Sequence, residues 1–337
     1  MSDYMTKLKT VSQYKEGLLG KKRAALAQAI TLIESQAAKH KHLAQQLMKE
    51  IYSHTGKSIR IGFTGVPGAG KSTLINAFGT YLCDQGYRVA VLAIDPSSTV
   101  SGGSILGDKT RMEQLAKHPR AFVRPSPSQG TLGGVHRKTR EAVLLCEAAG
   151  YDVIFIETMG VGQGEGIVKQ MVDVFVLLVL TGAGDELQGI KKGILELADL
   201  ICVNKADGDN RKKAVLTKKE YESVISFLYA HSSSWQPRVL TTSVYETGDL
   251  ISLWNHILDY KSWLIQNERF EQKRGLQLSS WLQSRIADYL YESFYGKQEL
   301  RDTLKDVEQR MQKGDITMEE AFETIIHQYK QVNQPIK

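Results

Sequence analysis

Between Ser58 and about Tyr260, short apolar runs alternate with stretches whose apolar residues recur at helical spacing. The runs are Ile59 to Thr64, Arg88 to Ile94, Val153 to Ile156, Val174 to Leu180, Leu200 to Val203 and Val239 to Thr241. Such alternation predicts βαβ units around a mostly parallel sheet with helices on both faces. Ahead of it, from Lys22 to Ile51, Leu26, Ile30, Ile33 and Ala37 repeat at helical spacing and predict one or two amphipathic helices. After Tyr260 the strand pattern stops. Leu278, Leu282, Ile286 and Tyr289, then Leu300, Leu304, Val307 and Met311, then Phe322, Ile325 and Tyr329, predict three helices. The last of them has Thr317 and Glu320 in capping-box spacing after Gly314-Asp315. The expected organisation is an N-terminal helical extension (1–56), an α/β domain (57–262) and a C-terminal helical arm (263–337) that either packs on the core or forms a dimer interface.

Composition narrows this picture mainly by exclusion. At 337 residues, 42% apolar and 24% charged, the chain has the profile of a globular protein large enough to bury a substantial core. Its longest apolar run, Val174 to Leu180, is far short of the ~20 residues a membrane span needs, and the N-terminus has no apolar leader segment. Cys83, Cys146 and Cys202 lie far apart in apparent helix or strand interiors, which gives no disulfide framework and fits a cytoplasmic protein. The net charge of +6 is spread over small clusters such as Lys21-Lys22-Arg23, Lys191-Lys192 and Arg211-Lys212-Lys213. These read as solvated helix faces, so neither a nucleic-acid nor a membrane partner is expected.

The chemistry begins directly after the first strand. Gly65-Val66-Pro67-Gly68-Ala69-Gly70-Lys71-Ser72-Thr73 satisfies GxxxxGK[ST] and leads into a helical pattern. Glycines there let successive N–H groups turn inward around a phosphate, and the following helix adds its positive end. Lys71 can reach the β/γ oxygens and Ser72 can ligate Mg²⁺. Asn204-Lys205-Ala206-Asp207, at the exit of the Leu200 to Val203 run, has NKxD form. A carboxylate at Asp207 can accept from guanine N1–H and the 2-amino group, donors that adenine lacks, so GTP and GDP are the expected ligands. Thr242-Ser243-Val244-Tyr245 is similar to the last guanine loop of GTPases, although Val244 stands where Ala is commoner.

Further carboxylates leave the same predicted sheet edge. Glu157 begins Glu157-Thr158-Met159-Gly160, where many GTPases have DxxG; it can hold a metal-bound water, and the Gly160 N–H can approach the γ-phosphate. Gln163, in a glycine-rich stretch beyond, either orients the attacking water or is a solvent-exposed loop amide. Asp95 is placed for a second metal carboxylate, and Asp108 is either a metal ligand or the N-cap of a helix over 109–117. Lys191 and Asp185 lie in a third glycine-rich stretch from Gly182 to Gly193.

With these motifs in order, together with Asp95-Pro96-Ser97-Ser98, Gly107-Asp108-Lys109-Thr110-Arg111 and Asp185-Glu186-Leu187-Gln188-Gly189-Ile190-Lys191-Lys192-Gly193, the chain resembles the MeaB/ArgK-type accessory GTPases of adenosylcobalamin-dependent methylmalonyl-CoA mutase, which are P-loop NTPases. The resemblance implies a homodimer joined through the C-terminal arm, and GTP hydrolysis that gates cofactor loading and protects the mutase. It implies Lys71, Ser72, Asp95, Asp108 and Glu157 as the phosphate and Mg²⁺ shell, and 182–192 as a partner-sensing switch. Met159, Gly164 and Thr181 depart from the family's commonest residues. Two other functions stay open: a metal-delivery GTPase, for which His40-Lys41-His42 is the densest histidine feature, and an ATP-dependent kinase linked to amino-acid transport.

Overall fold

Strand β1 (Ile59–Gly65) is buried along its length except at Arg60, and it is paired on both edges. In this computed structural model, residues 9–35, 37–94, 112–124, 132–158, 165–181, 192–230 and 235–332 are described. On one side β1 pairs with β4 (Val153–Thr158), from Ile59 opposite Val153 to Phe63 opposite Glu157. On the other it pairs with β5 (Val174–Val179), from Ile61 opposite Val174 to Gly65 opposite Leu178. With β2 (Val89–Ile94), β3 (Ala121–Arg124), β6 (Leu200–Val203) and β7 (Arg238–Thr241) the sheet order is β3-β2-β4-β1-β5-β6-β7, and every pairing is parallel. Both faces of such a sheet are covered, which is why these strands read as continuous apolar runs. From β1 the chain runs to β2 and out to β3, returns to β4 beside β1, and then crosses β1 to build β5, β6 and β7 on the other side. The order therefore reverses there, and a crevice forms beyond the carboxyl ends of β1 and its neighbours.

Two elements are not among the individual strands and helices that the periodicity predicts. Strand β3 is four residues at the sheet edge, ending in Arg124. So short a run has no distinctive period, and its strand state depends on its register with β2, from Val89 opposite Ala121 to Leu92 opposite Arg124. Helix α1 (Val11–Leu19) lies inside the expected N-terminal helical extension but before the Lys22 to Ile51 periodicity; Thr10 and Gln13 form its capping box. It is followed by α2 (Arg23–Glu34) and α3 (Ala38–Ile51).

Helix α4 (Lys71–Asp84) follows β1 and presents Leu74, Ile75, Phe78 and Leu82 to the core. Phe78 stacks on Phe155 with ring centres 5.5 Å apart, and Phe155 meets Phe63 edge-on at 5.2 Å. Trp254, from α10 (Thr247–Gln266), closes the cluster 6.1 Å from Phe78. Each such buried aromatic contributes on the order of 1.5–3 kcal/mol by removal from water. The cluster therefore anchors the root of α4 firmly beneath the crevice. The remaining elements are α5 (Glu113–Lys117), α6 (Leu132–Ala148), α7 (Glu165–Lys169), α8 (Lys192–Leu197), α9 (Asn210–Leu228), α11 (Arg269–Tyr295), α12 (Gln298–Lys313) and α13 (Met318–Val332).

At the amino ends of β1 and β5, buried charges are matched. The Arg274 guanidinium donates to both Asp173 oxygens, at 2.9 and 2.8 Å, and to the carbonyls of Gly56 and Ser58. Nearby, Asp199 accepts from Tyr260 Oη at 2.7 Å and pairs with Lys169 at 2.6 Å and Lys273 at 3.5 Å. A buried ion is tolerated only with such a full set of partners.

The chain divides into two compact units, Met1–Gln277 and Leu278–Lys337. In the second, α12 and α13 pair with Leu300, Val307 and Ala321 buried. The Thr317 hydroxyl accepts from the Glu320 N–H at 3.2 Å, and the Glu320 carboxylate accepts from the Thr317 N–H at 2.8 Å, which is the capping box expected from the sequence. Among the described residues no helix is long and apolar enough to cross a membrane.

Candidate functional site

The loop from Gly65 to Gly70 leaves β1 and turns straight into α4. Two of its glycines are required sterically. Gly65 has φ +149°, and a Cβ there would lie 2.4 Å from the Leu178 carbonyl oxygen of β5. Gly70 has φ +86°, and a Cβ there would come within 2.7 Å of Asn204 Nδ2. The turn they permit sets the open amide groups of the α4 N-terminus toward the crevice, a ready site for an anion. Ala69 is buried within the loop while Pro67 and Gly68 are exposed; Val66 is half-buried and packs against the core.

The Lys71 side chain folds over this loop. Its Nζ donates to the carbonyls of Gly65 at 2.7 Å and Val66 at 3.2 Å. Burial lowers its pKa, and the nearby Glu157 carboxylate works against that shift. The next residue, Ser72, donates through Oγ to Glu157 Oε1 at 2.7 Å, joining the first turn of α4 to the end of β4. Thr73, after it, is exposed. Thr158 Oγ1 lies 3.0 Å from Thr64 Oγ1, so the two strand ends that carry the site are cross-linked by buried hydroxyls.

Across the sheet edge, the residues after β6 and β7 interlock. Asn204 Nδ2 donates to the Ala69 carbonyl at 2.8 Å, and its Oδ1 accepts from Thr242 Oγ1 at 3.1 Å. Lys205 adopts a left-handed backbone at φ +57°, unusual for a residue with a side chain. Its carbonyl accepts from Asn210 Nδ2 at 2.6 Å, and its Cε lies 3.7 Å from where a Gly70 Cβ would be, so its side chain runs along the phosphate loop. Asp207 is half-buried, and its Oδ1 accepts from Ser243 Oγ at 3.3 Å. The Tyr245 N–H donates to Ser243 Oγ at 3.2 Å; the Tyr245 ring is exposed and Val244 packs against the core.

Thus the structure gathers Gly65 to Ser72, Glu157, Asn204, Lys205, Asp207 and Ser243 at one sheet edge. Asp95, Asp108, Gly160, Gln163 and Lys191 lie outside the described residues, as does the stretch 182–191. Two participants were not foreseen. Arg211, read from sequence as part of a solvated basic face, donates to Asp249 Oδ2 at 2.8 Å and to the Ala206 carbonyl at 3.1 Å. Asp249 in turn accepts from the Ser243 N–H at 3.0 Å. The pair is 38 residues apart, and no local pattern links them.

A glycine-turned anion loop on the central strand, facing an NKxD exit two strands away on the same edge, is the arrangement of a P-loop GTPase. The family model described as "Methylmalonyl Co-A mutase-associated GTPase MeaB" matches residues 26–299. GTPase ArgK of Escherichia coli is 48% identical over 82% of this chain and 84% of its own. The mouse protein named methylmalonic aciduria type A homolog, mitochondrial, is 41% identical over 93% of this chain and 78% of its own. A crystal structure described as a LAO/AO transport system kinase has a TM-score of 0.74 and 35% identity, covering 98% of this chain and 99% of that one. The chain belongs to the MeaB family of GTPases, and it binds and hydrolyses GTP.

Proposed function

We propose that this GTPase acts with Mg²⁺ as a chaperone for an adenosylcobalamin-dependent methylmalonyl-CoA mutase, gating cofactor loading and protecting the loaded enzyme. The observation that carries the nucleotide half is the Asn204 bridge, which ties the phosphate loop to the loop bearing Asp207. A ligand that reaches both must present phosphates at one end and a guanine-like edge at the other. The mutase half rests on the family's description and on the mouse relative's name.

In this reading Gly65 to Thr73 cradle the phosphates and the Lys71 ammonium moves from the Gly65 and Val66 carbonyls onto the β/γ oxygens. Asp207 accepts from guanine, Lys205 lies along the base, and the 243–245 loop approaches guanine O6. Ser72 Oγ and Glu157 Oε1, 2.7 Å apart, are hard oxygen donors of the kind Mg²⁺ takes, directly or through a bound water, with phosphate oxygens and water filling the remaining positions. Bound there, Mg²⁺ would supply charge neutralisation to the phosphates; Asp95 and Asp108 complete the proposed metal set. Gly160 approaches the γ-phosphate, Gln163 orients water, and Lys191 and its loop sense the partner. Catalysis then rests on positioning and charge, with no covalent nucleophile.

Self-association through α11 is part of the proposal. Leu278, Leu282, Ile286 and Tyr289 repeat along that helix at 49 to 70% exposure, an apolar stripe that a second copy would cover. Sedimentation of the wild type and of Leu282→Glu tests it: a monomeric wild type removes the dimer.

The functional test is hydrolysis of GTP and of ATP by the purified protein, alone and with the mutase from the same organism. Specific stimulation of GTP turnover by the mutase is expected. GTP turnover indifferent to the mutase would remove the chaperone role. Turnover of ATP at the rate of GTP would instead favour the transport-linked kinase reading that the structural relative's description suggests.

A further inference from the structure

We propose that Arg211 and Asp249 form a strap that positions Asp207 and so sets how strongly guanine is preferred over purines lacking its 2-amino group. The proposal rests on the reading of Asp207 as the guanine-accepting carboxylate. Both residues sit in the first turns of helices that begin after the two base-side loops, α9 after β6 and α10 after β7.

The contacts close a circuit. Asp207 Oδ1 accepts from Ser243 Oγ at 3.3 Å, a long bond that a small shift of Ser243 would break. The backbone position of Ser243 is held by its N–H on Asp249 Oδ2 at 3.0 Å. Asp249 accepts from the two terminal guanidinium nitrogens of Arg211, Nη1 at 2.8 Å to Oδ2 and Nη2 at 3.4 Å to Oδ1. Arg211 then returns to the starting loop through its bond to the Ala206 carbonyl, next to Asp207. The loops are also joined directly by the Ala206 N–H on the Thr242 carbonyl at 3.0 Å, upstream of both Asp207 and Ser243. The strap therefore constrains the downstream side, where the base-reading groups stand.

An exposed ion pair ordinarily contributes little. This one differs in two respects: the Asp249 side chain is only 15% exposed, and each partner also holds the backbone of a different loop. Without Arg211, Asp249 keeps a charge at the Ser243 amide with nothing tying it to the other loop. The Ser243 hydroxyl can then drift from Asp207, whose carboxylate is free to rotate away from the edge of the base.

The measurement is steady-state hydrolysis of GTP and ITP, with the release rate of fluorescent GDP, for full-length Arg211→Gln and Asp249→Asn. Inosine lacks the 2-amino group and so needs one contact fewer from Asp207. We expect the KM for GTP and the GDP release rate to rise roughly tenfold, about 1.4 kcal/mol, with the KM for ITP rising less and kcat within about twofold. Arg211→Lys, which keeps the charge and loses the fork, should fall between. An unchanged ratio of GTP to ITP preference in both variants, whether from equal losses or from none, overturns the strap. Asp207→Asn separates this from the underlying reading, because an amide there can donate to the C2 carbonyl of xanthine. If Asp207→Asn does not move preference from GTP to XTP, the reading of Asp207 fails. If it does, and the strap variants keep the GTP to ITP ratio, only the strap fails.

Discussion

Asn204 holds the carbonyl oxygen of Ala69 at 2.8 Å across 135 residues of chain, with its own side-chain oxygen held by Thr242. One buried carboxamide, 2% exposed, thus joins the phosphate loop after β1, the exit of β6 and the exit of β7. The two bonds use it in opposite senses, donor on one side and acceptor on the other, so no other side chain of its size except aspartate's protonated form could replace it.

Asn204→Ala should therefore weaken GTP and GDP binding together, by roughly tenfold or more, since two buried polar partners lose their bonds at about 1–3 kcal/mol each. Titration with a fluorescent guanine nucleotide measures this. Unaltered affinity would mean that the loops keep their relative position without Asn204. Asn204→Asp should be no better, because a carboxylate cannot donate to Ala69.

The phosphate loop and the NKxD exit were legible in the sequence, because they are contiguous motifs fixed by local chemistry: Gly65 to Thr73 and Asn204 to Asp207 each follow a strand and carry their own spacing. The six apolar runs are all strands, Leu200 to Val203 with the same ends and the others with one end shifted by one or two residues. What the sequence did not carry was whatever depends on pairing at a distance. Strand β3 exists through its register with β2, and Arg211 looked like one cation among three in a row until Asp249 was found beside it. The Thr64–Thr158 hydroxyl pair was hidden for the same reason, since the two threonines meet only because β1 and β4 are neighbours.

Gly65 and Gly70 should respond differently to alanine. At Gly65 the new methyl meets the Leu178 backbone oxygen, so β1 and β5 must part; Gly65→Ala should cost several kcal/mol, on the order of 3, and lower Tm with or without nucleotide. At Gly70 the methyl meets the Asn204 carboxamide, which can swing aside by giving up Ala69. Gly70→Ala should lose more in nucleotide affinity than in Tm. Thermal unfolding with and without GDP distinguishes them, and equal Tm losses in the absence of nucleotide would contradict the geometry.

Cys83, Cys146 and Cys202 are all buried free thiols. Burial pushes the Cys83 thiol up to about 11 and Cys202 up to about 12, and raises Cys146 as well. The thiolate is the reactive form, so all three should resist an aromatic disulfide reagent at neutral pH and still do so at pH about 9. Reaction should appear with unfolding in urea and then count three thiols. A thiol that reacts in the folded protein would place that cysteine nearer solvent than this fold allows.

Lys169 offers a pH test of the buried charge cluster. Burial pushes its ammonium down to about 8 despite the attraction of Asp199, while Lys273 adds to the downward shift. In the unfolded chain the same group titrates near 10.5. Below about 8 both states are protonated and the cost of burying the charge is fully present. Between about 8 and 10.5 the unfolded chain binds more protons than the folded one, so this group's contribution to stability rises with pH. Lys169→Met removes that term and leaves Asp199 paired with Lys273 and Tyr260. Measured side by side, which cancels the other titrating groups, the Tm of the wild type should gain on that of Lys169→Met as pH goes from about 7.5 to about 9.5. A difference that stays flat would show that Lys169 keeps its ordinary pKa, and that Asp199 compensates its burial in full.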